Sequence, residues 1–254
     1  MKGKRLKEKN NRISSIIVLL TFILFICIFL YSSIQIFKWI KENKDREAIV
    51  SDIEDSITID EEKQNVEKYS VDFNSLKGKN PDTIAWIKVK GTDIEYPVVK
   101  TSNNDYYLNH SFDKSYNTSG WIFMDYKNKC DNTDKNIVIY GHNRRDGGMF
   151  GTLKNILTDE WQNNQENFVI PFITENEKSE YQVFSVYRIE KEDYYITTNF
   201  STDNDFKSFT DIIKSRSEKD FGIDVTSNDK ILTLSTCAND NKYRVVLHAK
   251  KLGL

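Results

Sequence analysis

A run of uncharged residues near the amino terminus most restricts what this chain can become. Residues 13–37 contain no charged side chain, and the centre of the run, residues 16–31, is apolar except for Thr21. A stretch of about 20 such residues crosses the hydrocarbon core of a membrane, where only a helix satisfies its own backbone hydrogen bonds. The sequence therefore predicts one transmembrane helix over residues 13–37.

The residues before this run indicate its orientation. Residues 1–12 carry six Lys or Arg side chains against the single acid Glu8, and the positive-inside rule keeps such a tail in the cytoplasm. We therefore expect a single-pass cell-membrane protein with a cytoplasmic N-terminus and an extracellular domain. A cleaved secretory signal is the alternative, although Ser32-Ser33 is the nearest small-residue site after the long apolar core. Under either interpretation, the folded domain lies on the outer side of the cell membrane.

Composition indicates one exported folded domain. The chain has 254 residues, of which 39% are hydrophobic and 13% aromatic, which is enough for one substantial core. The net charge of -2 provides no broad basic field, so nucleic acid is not expected as a partner. Residues 38–69 are rich in Lys, Glu and Asp and predict a juxtamembrane stalk with an N-terminal helix, its first half equally well a solvated tether. The few apolar residues of the stalk are expected to form one stripe that packs against the folded domain: Ile49, Ile53, Ile57 and Val66.

Residues 70–254 have the pattern of short β-strands. Residues 84–89 and 94–99 alternate around the turn Gly91-Thr92-Asp93 and predict a hairpin. Six further runs are rich in β-branched and aromatic residues: Gly120 to Met124, Asn136 to Tyr140, Phe168 to Thr174, Tyr181 to Ile189, Ile231 to Thr236 and Tyr243 to Ala249. This pattern is typical of an antiparallel barrel or sandwich. Two insertions are predicted to be helical, Met149 to Gln165 and Asp203 to Ser217.

This strand pattern predicts that a cysteine and an arginine lie close together on neighbouring strands. Cys237 ends the apolar run that begins at Thr233, and Arg244 lies seven residues later on the next strand. A nearby cation stabilises a nucleophilic thiolate, and a guanidinium holds a developing oxyanion. Ser235 precedes Cys237 by two residues and shares its face of the strand. We expect Ser235 either to contact a substrate backbone or to form a hydrogen bond within the sheet.

The other cysteines and the histidines limit the chemistry further. Cys27 lies in the apolar run, and pairing Cys130 with Cys237 would consume the nucleophile, so we expect two free thiols outside the membrane. Of the three histidines, His110 lies in a polar loop and His248 within the final strand, whereas His142 ends an apolar strand. An exposed strand end suits proton exchange. His142 is therefore the predicted proton carrier.

Together, these motifs resemble those of the sortases, the cysteine transpeptidases of Gram-positive cell surfaces. The resemblance covers roughly residues 70–254 and rests on the Thr-Leu-Ser-Thr-Cys run with Arg244, the Tyr140-Gly141-His142-Asn143 run and the N-terminal anchor. Residues 86–92, 105–110 and 123–125, with the helical insertion before the cysteine strand, are similar to class B. Class A members lack that helix, and class C members usually carry a lid segment that is not found in this sequence.

The resemblance implies a mainly β fold: a closed eight-stranded barrel, antiparallel or mixed, with an N-terminal helix and the helical insertion. It implies that Cys237 cleaves an Asn-Pro-x-Thr-like sorting signal of secreted proteins through a thioacyl intermediate, with His142 moving protons and Arg244 holding the oxyanion. The acceptor would be an amino group of peptidoglycan or lipid II. The class B pattern adds five substrate-binding positions: Asn104, Leu108, Tyr195, Ile196 and Ser235. No metal and no other cofactor is expected.

Two other functions remain open at this point. A pilin-polymerising sortase would use the same chemistry at Cys237 with a lysine of another pilin as the acceptor. A catalytically silent, membrane-anchored binding module would keep the barrel but cleave no peptide.

Overall fold

The computed structural model describes residues 2–129, 131, 133–237 and 242–253. The predicted state of Cys130 lies outside the described residues. The chain forms two compact units, Met1–Asp45 and Arg46–Leu254. Helix α1 (Lys2–Glu54) begins in the first unit and ends in the second. The predicted apolar helix is thus present, with a mean hydropathy of 2.7 in its most apolar window and none of that window buried. Membrane anchors and signal sequences both have such a helix.

The second unit is built on a closed barrel of eight strands, which confirms the mainly β fold class. The barrel strands are β3 Thr83–Val89, β4 Ile94–Val99, β5 Phe123–Met124, β6 Asn136–His142, β7 Val169–Thr174, β8 Lys178–Glu190, β9 Ile231–Cys237 and β10 Tyr243–Lys251. Their order around the barrel is β10-β8-β7-β3-β4-β5-β6-β9. Strands β1 (Ile57–Ile59) and β2 (Tyr69–Val71) pair separately, and the short helices are α2 (Phe73–Lys79), α3 (Asp159–Asn163) and α4 (Asp203–Ser215).

Two of the barrel pairings are parallel, which the strand pattern by itself did not predict. Strand β4 pairs with β5, and β6 pairs with β9, in parallel, whereas the other six neighbours are antiparallel. Parallel neighbours require a long crossover connection. Between β6 and β9 this connection contains β7, β8 and α4. The barrel is therefore mixed, and its parallel seam joins distant parts of the chain.

Helix α4 confirms the second predicted insertion and covers the outside of the barrel. Thr202 and Asp205 form a capping box at its start, where each side chain bonds the other residue's backbone N–H. Phe206, Phe209 and Ile213 are at most 2% exposed and pack on β8, β9 and β10. Burial of three such side chains contributes on the order of 5 kcal/mol. The helix therefore fixes the outer face of these strands.

The first predicted insertion, Met149 to Gln165, is not one helix. It contains a 3-10 turn at Leu153–Leu157, the short helix α3, and the start of a second 3-10 turn at Gln165–Phe168. Thr158 caps α3 by accepting from the N–H of Trp161. Because Trp161, Leu153 and Ile156 are buried in the large barrel cluster, tertiary packing divides the segment into short turns.

The stalk residues of the second unit pack as predicted. Ile53 is 2% exposed and belongs to the large barrel cluster, against which Ile49 also packs. Val66 and Ile57 join a smaller cluster around Trp86. The end of α1 and the segment after it are therefore part of the folded unit rather than a solvated tether.

His248 lies in a buried polar chain that crosses four strands. Thr233 Oγ1 donates to Asn136 Oδ1 at 2.7 Å, so it accepts from His248 Nδ1, 2.8 Å away. The Nε2 atom is then an acceptor for the Tyr187 hydroxyl, also at 2.8 Å. Burial, together with the charge of Arg216, lowers the pKa of His248 to about 3. The imidazole is neutral in the folded protein.

Substitution His248→Gln should change how stability depends on pH. Between the unfolded pKa of about 6.5 and the folded value of about 3, the unfolded chain binds a proton that the folded chain does not. The free energy of unfolding of the wild type therefore falls as the pH falls below 6.5, by up to about 1.4 kcal/mol per pH unit. The stability advantage of the wild type over His248→Gln should shrink between pH 7 and pH 5.

Urea unfolding of the full chain in detergent, followed by tryptophan fluorescence, measures this difference. His110→Gln is the matched control, since His110 lies half-buried in a surface loop. A constant gap between wild type and His248→Gln across this pH range would contradict the prediction.

Candidate active site

Three of the predicted residues lie in one row across three neighbouring strands. The parallel register of β6 and β9 sets His142 beside Cys237. The antiparallel register of β9 and β10 sets Ser235 opposite Val246. Arg244 precedes Val246 by two residues and lies at the start of β10, where the N–H of Val245 donates to the hydroxyl of Thr236 at the end of β9. The sequence-predicted nucleophile and proton carrier thus occupy paired positions about 5 Å apart on neighbouring strands, and the predicted cation lies at the start of the third strand.

The row lies on the outer face of the barrel. Side chains alternate along a strand, so Arg244 lies on the same face of β10 as Val246. Val246 packs in the cluster formed by α4, whereas Leu234 and Leu247 of the opposite parity belong to the large barrel cluster. The site is therefore at the carboxyl ends of β6 and β9, on the side covered by α4.

His142 is fixed by a backbone carbonyl. Its Nε2 lies 2.7 Å from the carbonyl oxygen of Leu108, in the 3-10 turn Tyr106–Leu108. Because a carbonyl only accepts hydrogen bonds, Nε2 carries the proton, and Nδ1 is the basic atom of the neutral ring. The bond sets both the tautomer and the orientation of the ring.

Burial makes this imidazole a neutral base. Desolvation lowers the pKa of His142, the hydrogen bond to Leu108 opposes the shift, and the charge of Arg144 adds to it. The ring is therefore neutral at pH 7 and ready to accept a proton at Nδ1.

Gly120 makes room for the ring and was missed in the sequence. Its φ is +60°, and a Cβ there would lie 2.8 Å from His142 Cδ2 and 2.5 Å from the Tyr107 carbonyl oxygen. Such distances are far below van der Waals contact, so only glycine permits this approach. In the sequence, Gly120 begins a strand-like run, and no local pattern marks its role because Tyr107 and His142, its neighbours in space, are distant along the chain.

Arg244 is held in the same wall. The residue is 9% exposed, and Nη1 donates to the carbonyl of Tyr243 at 3.2 Å. The neighbouring N–H of Val245 donates to the hydroxyl of Thr236 at 2.9 Å, so a side chain replaces a backbone acceptor where the ladder of β9 and β10 ends. The bond from Val245 fixes the start of β10 against the end of β9.

Near the site, Ser235 contacts the 3-10 turn Tyr194–Ile196, which contains Tyr195 and Ile196. The hydroxyls of Tyr195 and Ser235 lie 3.0 Å apart, and both residues are 2% exposed. Ile196 packs against both the barrel cluster and the α4 cluster. Ser235 thus has the hydrogen bond that was one of its two predicted roles, made to a 3-10 turn rather than to a neighbouring strand.

Asn104 and Leu108 lie on the other side of His142. Asn104 Nδ2 donates to Asp125 Oδ2 at 3.0 Å, and its Oδ1 accepts from the N–H of Tyr126 at 2.9 Å. Leu108 is half-buried against the barrel cluster while its carbonyl accepts from His142. Asn104 therefore braces the loop that carries Leu108.

The remaining histidines do not join the row. His110 stacks on Tyr106 with ring centroids 4.0 Å apart, and His248 is fully buried. Within the part of the chain that the structure describes, no group of three His, Cys, Asp or Glu side chains is arranged to hold a metal ion.

Comparison with known proteins agrees with this geometry. The family model of the sortase domain matches residues 87–252. Sortase B of Listeria monocytogenes is 32% identical over 88% of this chain and 92% of its own length, and that of Staphylococcus aureus is 36% identical over 70% and 73%.

Solved structures show the same likeness. A Staphylococcus aureus sortase B–substrate complex is 35% identical, with a TM-score of 0.68 over 72% of this chain and 85% of its own. A Bacillus anthracis protein similar to sortase B is 36% identical, with a TM-score of 0.70 over 84% and 96%. With the barrel, the α4 insertion and the row of Cys237, His142 and Arg244, these matches lead to one conclusion: the chain belongs to the sortase family of cysteine transpeptidases, and within it to class B.

Proposed function

We propose that this sortase cleaves an Asn-Pro-x-Thr-like sorting signal of secreted proteins and transfers them to an amino group of peptidoglycan or lipid II. The observation that carries the proposal is the register that sets His142 beside Cys237, with Arg244 at the start of the next strand. The domain 70–254 would act outside the cell, held at the membrane by residues 13–37 with the basic N-terminus in the cytoplasm.

The first half-reaction forms a thioester. The Cys237 thiol gives its proton to Nδ1 of His142, and the sulfur attacks the threonine carbonyl carbon. Arg244 stabilises the resulting oxyanion. When the intermediate collapses, the C–N bond breaks and the departing amine takes the proton from His142. The acyl group is then bound to Cys237.

The second half-reaction transfers the acyl group. The acceptor amine attacks the thioester, its proton passes to Nδ1 of His142, and the C–S bond breaks. His142 returns the proton to the sulfur, so the enzyme ends as it began. A sortase B solved in complex with Gly3 supports an acceptor that resembles a glycine peptide. The Leu108 carbonyl accepts from Nε2 throughout and steadies the imidazolium.

Peptide cleavage tests the donor signal. The full chain in detergent is expected to cleave fluorogenic Asn-Pro-x-Thr peptides in preference to Leu-Pro-x-Thr-Gly peptides. Cys237→Ala should abolish cleavage, because no other group forms the thioester. Cys27→Ala is the matched control, since Cys27 lies in the apolar helix, and it should retain activity.

Product analysis by mass spectrometry tests the acceptor. Ligation of triglycine indicates a peptidoglycan-type amine, whereas ligation only of a lysine-bearing pilin peptide would favour pilin polymerisation. Wild type that cleaves neither peptide class, or Cys237→Ala that cleaves as well as wild type, would refute the transpeptidase assignment.

Gly120→Ala should lower kcat by about 100-fold with little change in KM, because the added methyl displaces the His142 ring or its Leu108 acceptor. Gly78→Ala is the matched control, as a Cβ at that position meets nothing within 4 Å. Steady-state kinetics with the preferred peptide measure kcat and KM of both variants. Equal kcat values for the two variants would show that His142 does not depend on this close approach.

Arg244→Ala should lower kcat on the order of a hundredfold or more, the usual loss when an oxyanion donor is removed. Arg244→Lys should recover part of the loss, since it restores charge without the planar fork. Arg188→Ala, an exposed arginine on β8 whose guanidinium lies over the Tyr243 ring, should keep kcat near the wild-type value. A kcat for Arg244→Ala within threefold of wild type would exclude the oxyanion role.

A further inference from the structure

The loop that follows His142, residues 143–151, folds back onto that residue. The N–H groups of Arg144 and Phe150 both donate to the His142 carbonyl, at 3.1 and 3.0 Å. The ring of Phe150 also fills the space above Gly141, where a Cβ would come within 2.6 Å of it. The backbone of His142 is therefore held by the conformation of this loop.

The carboxylate of Asp146 holds the loop in shape. It accepts from Arg144 through Nε at 3.0 Å and Nη2 at 2.6 Å, and from the N–H of Gly148 at 3.1 Å. Burial opposes ionisation of Asp146, but the hydrogen bonds from Arg144, Arg46 and Gly148 outweigh it and hold its pKa well below the usual range. The carboxylate of Asp146 is thus ionised at every physiological pH, and its hydrogen bonds hold the loop together.

Another partner of Asp146 comes from the end of helix α1. Arg46 Nη1 donates to Asp146 Oδ2 at 2.9 Å, and the two side chains are only 8% and 17% exposed. The guanidinium also lies against Gly148, where a Cβ would come within 2.5 Å of Nη1. Removing one partner of so buried a pair is costly, unlike the loss of a surface ion pair.

Arg46 is itself held in place by the barrel. Ile49 and Ile53, which follow it on α1, pack against the barrel cluster. The ladders of β6 to β5 and β9 contain no residue of the 143–151 loop. Loss of the Arg46–Asp146 pair should therefore loosen the loop without breaking the barrel.

We propose that Arg46 is a positioning residue of the transfer reaction. By holding Asp146 it keeps residues 143–151, and through them the imidazole of His142, in the geometry that bonds Nε2 to Leu108 and turns Nδ1 to the reacting groups. The proposal rests on the proposed role of His142. It gives the end of the N-terminal helix a part in catalysis.

Kinetics of the full chain in detergent test the proposal first. Arg46→Met should lower kcat about tenfold with KM for the peptide changed less than twofold, because the loop orients the proton carrier rather than the substrate. Arg46→Lys should restore most of kcat, since an ammonium pairs with the same carboxylate. Arg145→Met is the matched control, the same change at an exposed arginine of the same loop.

Asp146→Asn tests whether Arg46 acts through Asp146. The double variant Arg46→Met/Asp146→Asn should be no slower than the slower single variant. Losses that multiply in the double variant would mean that Arg46 acts by another route and would overturn the proposal.

Imidazole NMR separates positioning from general destabilisation. In Arg46→Met the ¹H–¹³C signals of His142 should shift while those of His248, buried in the barrel wall, stay in place. Unchanged His142 signals, an equal shift of His248, or no recovery in Arg46→Lys would overturn the proposal. If wild type cleaved no peptide, the proposed function would fail, yet the His142 signals would still decide whether Arg46 positions that ring.

Discussion

The parallel pairing of β6 with β9 is the constraint on which the site depends. It runs in continuous register from Asn136 beside Ile231 to His142 beside Cys237. A slip of one residue would move every side chain of one strand to the other face of the sheet. His142 and Cys237 would then no longer be paired, and the proposed proton transfer between them would be lost. The proposed chemistry thus depends on strand register.

Polar contacts secure this register at both ends. At the start of the strands, Asn136 accepts from Thr233, which in turn contacts His248, all of them buried. A slip would leave buried polar groups unpaired, at a cost of about 1–3 kcal/mol each. At the other end, His142 bonds to Leu108 and its carbonyl accepts two N–H groups of the following loop. The same two strands thus carry both the polar contacts that hold the register and the candidate active site.

Local patterns explain how much of the fold could be predicted. Alternating apolar residues marked the barrel strands, and the spacing of Phe206, Phe209 and Ile213 marked α4. The segment from Met149 to Gln165 was assigned as helical but packs as short turns, since its aromatic and aliphatic side chains fill separate gaps in the barrel. Periodicity reports which residues are apolar, not which surface each one meets.

Local sequence patterns placed the candidate reactive groups: a cysteine and a histidine at strand ends, an arginine on the next strand, and an apolar helix before them. The folded structure adds that these strands are neighbours, that Gly120 lets the His142 ring approach a carbonyl, and that Arg46 reaches Asp146. The distance along the chain over which each interaction acts explains this difference. Propensity and alternation act between residues a few positions apart, whereas pairing, close approach and buried charge depend on segments that meet only after the barrel has closed.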